Sequence, residues 1–358
     1  MRKSGVPALI LALLAGGGAM TATPAGAAAP EEITVYVDPD APAAAARTRS
    51  GLTAGDAVAS FEEAERILRS KGATKARILT PGGTYYPGKE INWSYDPPGG
   101  DLTFAAVPGT GKVVFDGSRM TSDSPAEGNR AAAASGYYMT ITSANSNITV
   151  SGRTIQRYTN GGIRIRGRSG DRVNNVTIKG NTFKYLGNKH SSGGIGYGGV
   201  HITSSSTVKI TGNKFYYLEN SSDPGAIHGV YLANATNSSV ISGNRFGYVS
   251  GDPIRTRNNS KNNTVSGNKF WRAGTYAIFS DWRFGRETCG RGNVFKNNTV
   301  GRTSYYGKKF GSGQQGRIKP IKLLLWGHDA PANANLGGCS PAPVKSGGGN
   351  RYVTSRPW

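Results

Sequence analysis

Val176-Thr177-Ile178-Lys179-Gly180-Asn181-Thr182-Phe183 is echoed by Val208-Lys209-Ile210-Thr211-Gly212-Asn213-Lys214-Phe215. It returns as Val240-Ile241-Ser242-Gly243-Asn244-Arg245-Phe246 and as Val265-Ser266-Gly267-Asn268-Lys269-Phe270. Degenerate copies occur at Ile148-Thr149-Val150-Ser151-Gly152 and Phe295-Lys296-Asn297-Asn298-Thr299-Val300. Asn181, Asn213, Asn244, Asn268 and Asn298 are 32, 31, 24 and 30 residues apart. Each unit holds a second alternating run: Gly162-Ile163-Arg164-Ile165-Arg166, Gly199-Val200-His201-Ile202-Thr203, Gly229-Val230-Tyr231-Leu232-Ala233, Pro253-Ile254-Arg255-Thr256-Arg257 and Tyr276-Ala277-Ile278-Phe279-Ser280. Period-two alternation means a strand with one face buried. Two or three short strands cannot bury their own face, so the units must stack on one another as a solenoid. Units of this length without helices predict an all-β parallel β-helix, one coil per repeat. The Asn and Phe columns are assigned to turn and core, with the amides bonding along the stack.

Composition agrees with that reading. The chain has 358 residues, 37% hydrophobic residues, 52 glycines and a net charge of +22. The glycines lack a period of three, which excludes collagen. Two cysteines in so long a chain exclude a disulfide-dense mini-scaffold. Residues 1–149 carry 13 Lys and Arg against 14 Asp and Glu, whereas residues 150–358 carry 30 against 7. A basic field confined to the repeat half steers polyanions. Arg2 and Lys3, the short apolar run Pro7 to Ala15 and the small residues Ala25-Gly26-Ala27 read as a signal peptide over 1–27. The expected product is secreted and extracellular, with no membrane partner. In an oxidising compartment Cys289 and Cys339 are expected to pair.

Ser60-Phe61-Glu62-Glu63 has capping-box spacing and starts a helix running to about Leu68, suited to covering the open end of the coil. It is followed by Ile78-Leu79-Thr80-Pro81-Gly82-Gly83-Thr84-Tyr85 and then by the Gly-Asn-x-Phe coils. This order resembles the secreted right-handed parallel β-helix proteins of the pectate-lyase-like superfamily, over roughly Glu32 to Gly301. The resemblance implies a β-helix domain over 28–301 with an N-terminal capping helix, and a C-terminal segment, 302–358, packed on it. The superfamily includes polysaccharide lyases, glycoside hydrolases, epimerases and phage tailspikes, so the fold does not decide the activity. Its lyases often use a Lys or Arg base with calcium. Lys189 is the candidate lysine, and the sequence offers no dense carboxylate cluster for calcium, so no cofactor or metal is expected.

Alternation fixes which strand residues point outward. The first outward column reads Arg164, His201, Tyr231, Arg255 and Ile278, and the second contains Arg166, Thr203, Ala233, Arg257 and Ser280. His228 and Asp252 precede the same strands. Neighbouring strands lie about 4.8 Å apart, so these side chains share one face, taken as the functional groove. Cleaving a uronate polymer by β-elimination needs three things: the carboxylate neutralised, a base for the acidified proton, and an acid for the leaving oxygen. Arg255 or Arg257 can bind the carboxylate. His201 or His228 can act as base, and Tyr231 as acid or base. Arg164, Arg166, Arg257, Asp252 and Trp282 are expected to bind substrate, Trp282 by stacking on a sugar beside Asp281. The expected activity is that of a monomeric lyase acting on an anionic polysaccharide. A glycoside hydrolase would need a carboxylate pair, drawn from Asp223, Asp252 and Asp281. A non-catalytic polyanion or cell-wall glycan binder would use the charge alone. No nucleic-acid module is present.

Overall fold

The computed structural model describes residues 31–42, 48–120, 136–142, 147–191, 193–194, 196–285, 287–301, 305, 322–328 and 344–358. The expected signal peptide and Cys339 lie outside the described residues. Residues 31–358 form one compact unit. Three parallel sheets of ten, eight and nine strands run side by side along it, and the chain visits them in rotation. Each circuit is one coil of a parallel β-helix. In one coil the chain runs from Val176–Lys179 through Thr182–Leu186 to Gly198–Thr203. It then drops to the next coil with Lys209–Thr211, Lys214–Leu218 and His228–Ala233. The stack continues past Gly301: Lys322–His328 adds an eighth strand to the second sheet, and Lys345–Ser346 and Arg351–Tyr352 extend the other two.

The repeated Gly-Asn pair turns the chain from the first sheet into the third. Gly180, Gly212, Gly243 and Gly267 each sit at φ 65°, in the left-handed region that glycine enters without strain. The asparagine that follows is buried and bonded along the stack. Asn213 Oδ1 accepts from the Asn181 backbone N–H at 2.9 Å and from Asn181 Nδ2 at 3.2 Å, and the pattern repeats through Asn244, Asn268 and Asn298 to Asn350. Phe183, Phe215, Phe246 and Phe270 stack inside the coil at 4.7–5.0 Å, their planes within 9°. Gly162, Gly199 and Gly229 flank the groove in the sequence, but their role is internal. A Cβ at each would stand 2.5–2.6 Å from a phenylalanine ring of this stack.

The capping helix, Phe61–Ser70, forms with both halves of its capping box: Ser60 Oγ accepts from Glu63 N, and the Glu63 carboxylate accepts from Ser60 N. Phe61 of the helix packs on Phe104 and Phe115 at the end of the coil interior. Connections from the third sheet to the second differ in length. Residues 187–197 and 219–227 are long, while 250–253 and 272–276 are short.

Candidate functional site

The eight-stranded sheet sets the outward columns by register. Arg164 pairs with His201, His201 with Tyr231 and Tyr231 with Arg255. Arg255 then pairs with Ser280, not with Ile278. Ile278 is fully buried, and the second column ends on Arg257 and Trp282. The sequence gives the parity of this last strand but not its phase, because the short connection before it moves the strand by two residues.

A cavity of about 370 Å³ opens on these columns, lined by Asp223, His228, Tyr231, Arg255, Arg257, Tyr276, Trp282 and Phe284 among others. One wall is aromatic and cationic. Trp282 and Phe284 stack at 5.6 Å and 10°. The Arg255 guanidinium lies 4.8 Å from the Trp282 ring and that of Arg257 lies 4.3 Å from Phe284. Tyr276 stands edge-on to Trp282 and is half exposed.

Asp252 is placed behind this wall. Its Oδ1 accepts from the backbone N–H groups of Tyr276 and Ala277 at 2.8 and 2.9 Å. Its Oδ2 accepts from Arg255 Nη2 at 3.0 Å and Ser280 Oγ at 2.6 Å. Burial works against ionisation, but Arg255 and these donors outweigh it and hold the carboxyl below its ordinary range. All four lone-pair positions are engaged and the residue is fully buried, so Asp252 anchors Arg255 and does not reach substrate. Arg257 is anchored in the same way by Glu287, whose Oε1 accepts from Arg257 Nε at 2.6 Å.

His228 bonds the Asp252 carbonyl through Nδ1 at 2.8 Å. A carbonyl only accepts, so Nδ1 carries the proton and Nε2 is a lone pair. That Nε2 is buried and has no hydrogen-bond partner. Burial, and next the Arg255 charge, push the imidazole well below its ordinary range. His201 is held flat between Tyr197, at 4.9 Å and 5°, and Tyr231, at 5.1 Å and 11°. Its Nδ1 meets the Tyr137 hydroxyl at 2.7 Å. Burial, with Arg164 and Arg257, lowers it to about 3. Both imidazoles are therefore neutral and feebly basic at neutral pH. Tyr231 differs: its hydroxyl accepts from Arg257 Nη1 at 3.3 Å.

Tyr231, Tyr197 and Arg257 also line a second cavity, of about 510 Å³, with Arg166, Arg168, His201, Thr203 and Asn234. The two cavities form one groove that meets at Tyr231. Arg166 and Arg168 are exposed and make no ion pair among the described residues.

Other expected residues are taken elsewhere. Lys189 binds Glu219, with Nζ 2.8 Å from Oε1, and lines neither cavity. Glu219 also accepts from His190 and Tyr305. Burial opposes its ionisation, but these bonds win and bring it to about 2. Arg164 donates to Thr140 Oγ1 at 2.9 Å and lies 3.4 Å from Glu90, at the groove margin. Asp281 points into the coil, where Thr256 Oγ1 donates to its Oδ1 at 2.9 Å and its Oδ2 has no hydrogen-bond partner within reach among the described residues. Burial raises it to about 6. Among the described residues, no three His, Cys, Asp or Glu side chains come together in a metal-binding group.

Glu287, Tyr197, Phe284 and Tyr137 are missing from the sequence-derived site. Glu287 lies 30 residues after Arg257, one coil further on, and a coil-length offset was the signal available for it. Tyr137 begins the strand Tyr137–Ile141, which precedes the quoted runs, Phe284 continues the parity of Trp282 just past its strand, and Tyr197, in a connection, left no signal.

The description "Right handed beta helix region" belongs to the family model that matches residues 141–319. No curated protein matches the chain. Among solved structures, the chain is similar to a pectate lyase, Pel9A, at 16% identity, with 88% of this chain and 82% of that one covered and a TM-score of 0.48. It is similar to an alginate lyase from Paenibacillus sp. str. FPU-7 at 15% identity, 91% and 98% coverage and a TM-score of 0.47. A rhamnogalacturonan lyase follows at 15%, 76% and 74%, and 0.43.

Proposed function

Because this chain belongs to the right-handed β-helix family, its activity has to be read from the side chains on the coil, and we propose that it is an exported polysaccharide lyase that cleaves an acidic glycan by β-elimination at Tyr231. The observation that carries this reading is the lining of the groove. His228, Tyr231, Arg255 and Arg257 meet there with Asp223 as the single lining carboxylate among the described residues. A hydrolase of the two-carboxylate kind needs a second acid facing the substrate. Asp252 is spent on Arg255 and backbone, and Asp281 lies inside the coil.

Two neutral, feebly basic imidazoles leave Tyr231 as the proton-transfer group. As base, the Tyr231 oxygen takes the proton next to the uronate carboxylate. The electron pair forms the new carbon–carbon double bond, and the bond to the glycosidic oxygen breaks. The same hydroxyl then returns the proton to that oxygen, so the protein ends as it began. Arg257 supplies the hydrogen bond that an oxygen carrying charge in this step requires. His228, fully buried, packs against the Tyr231 ring at 5.1 Å and backs it, and Arg255, steadied by Asp252, positions the chain.

The test is ultraviolet absorbance of the unsaturated product on a panel of acidic polysaccharides, with the wild-type chain beside Tyr231→Phe. The wild type should produce a double bond on at least one polymer. Loss of a proton-transfer group costs about 10²–10⁴-fold in turnover, and Tyr231→Phe should lose that much while holding the polymer about as tightly. New reducing ends without absorbance would move the assignment to hydrolysis, and a fully active Tyr231→Phe would remove Tyr231 from the mechanism.

A further inference from the structure

The two halves of the groove differ in charge, and the difference specifies more than "an acidic glycan". On the aromatic side, the two arginines Arg255 and Arg257 face three carboxylates: Asp252 and Glu287 behind them, and Asp223 in the lining. Asp223 is exposed and makes no cap hydrogen bond at the short helical turn it begins. The cavity therefore has no cation to spare, and its wall is the Trp282–Phe284 stack with Tyr276 across from it. Flat rings with compensated charge suit the apolar face of an uncharged sugar. A carboxylate there would lose water and meet Asp223 without a free partner.

Across Tyr231 the balance reverses. The second cavity is lined by Arg166 and Arg168 and by Ser169, Thr203, Ser204 and Asn234, with no carboxylate among its lining residues. Neither arginine makes an ion pair among the described residues, although Asp171 faces Arg168 across a backbone bridge. Two exposed guanidinium groups beside hydroxyls and an amide are a site for a carboxylate-bearing sugar.

Building on the lyase reading, we infer that the substrate is an alternating polymer, with the uronate seated in the Arg166–Arg168 cavity and an uncharged sugar on the Trp282–Phe284 wall. Cleavage at Tyr231, where the cavities meet, then falls between them. The unsaturated uronate stays on the cationic side and the uncharged sugar is the leaving group. A polymer of uronates alone would put a second carboxylate beside Asp223.

The experiment compares alternating polymers (hyaluronan, chondroitin, heparosan) with homouronans (pectate, alginate, glucuronan) at matched chain length and salt. Double-bond formation by the wild type is one arm. Binding to Tyr231→Phe is the other, and it reports preference whether or not the chemistry is elimination. The expected result is at least a tenfold preference for one alternating polymer in both arms. Arg166→Gln combined with Arg168→Gln should raise KM for that polymer several-fold. Asp223→Asn should narrow the gap by improving homouronan binding. Equal or better binding of a homouronan, with Asp223→Asn making no difference, overturns the alternation. Preferential binding of an alternating polymer with no double bond on any substrate overturns the lyase reading and leaves the alternation standing.

Discussion

At the residue scale, burial decides which titratable groups are free to act. Asp281 is the clearest case. It sits inside the coil with Oδ2 unpartnered among the described residues and is raised to about 6 from an ordinary value near 4. The unfolded chain ionises this group near pH 4, and the folded chain near pH 6. Between those values the folded state holds the extra proton, so stability falls as pH rises through the window and is level above it. Two units correspond to about 3 kcal/mol. Asp281→Asn should therefore melt higher than the wild type at pH 7 and lose the slope between pH 4 and 6. An unchanged slope in a pH series of melting curves would show that another group sets it. The outward direction of Tyr231, Arg255 and Arg257 was legible from alternation alone. The state of His201 and His228 was not. The His228 tautomer is set by the Asp252 carbonyl, and the weak basicity of both comes from burial and then from the neighbouring arginines, which reach them from other coils.

At the element scale, repetition made the fold legible and also limited what could be read. The Gly-Asn turn recurs because each coil needs a left-handed residue followed by an amide that can bond both along and across the stack. Asn213→Ala would strand the Asn181 backbone N–H and remove the amide donor to the Ile178 carbonyl, while Asn244 Oδ1 keeps only the Asn213 backbone N–H. Unsatisfied buried groups cost about 1–3 kcal/mol each, so the variant should melt well below the wild type by circular dichroism. Asn175 sits at φ 57° in an exposed connection, and Asn175→Gly should change melting little. Equal losses at the two sites would contradict the ladder. Gly199 marks the limit of pattern reading. Beside a histidine it looks like a groove glycine, yet a Cβ there would stand 2.6 Å from the Phe215 ring. The strand Ala277–Arg283 shows the same limit: alternation assigns its faces, but only contact with Ile254–Arg257 fixes its phase.

At the scale of the whole molecule, charge and fold are separable. The cationic excess lies in the coil-forming half, and several of its members, such as Lys209, Lys214 and Arg245, stand on exposed strand positions outside the groove. Exposed charges act over about 10 Å at 0.1 M salt and are screened beyond it. Polymer affinity should therefore fall steeply between low and physiological salt while the melting temperature hardly moves. Titration of a fluorescent substrate polymer against salt checks this, and salt-independent affinity would show that charge does not drive binding.

The unequal connections between the third and second sheets have a consequence for how a chain gets in. Asp223, Gly225 and Ala226 of the long 219–227 connection line the cavity that holds Arg255. In the next two coils only the short connections 250–253 and 272–276 join the same two sheets, and the bank drops there. A trench with one lowered bank can be entered from the side. A long polymer can be laid across it mid-chain, with no terminus to thread and no blind end to measure from. Products would then start as large fragments of mixed length and shrink gradually.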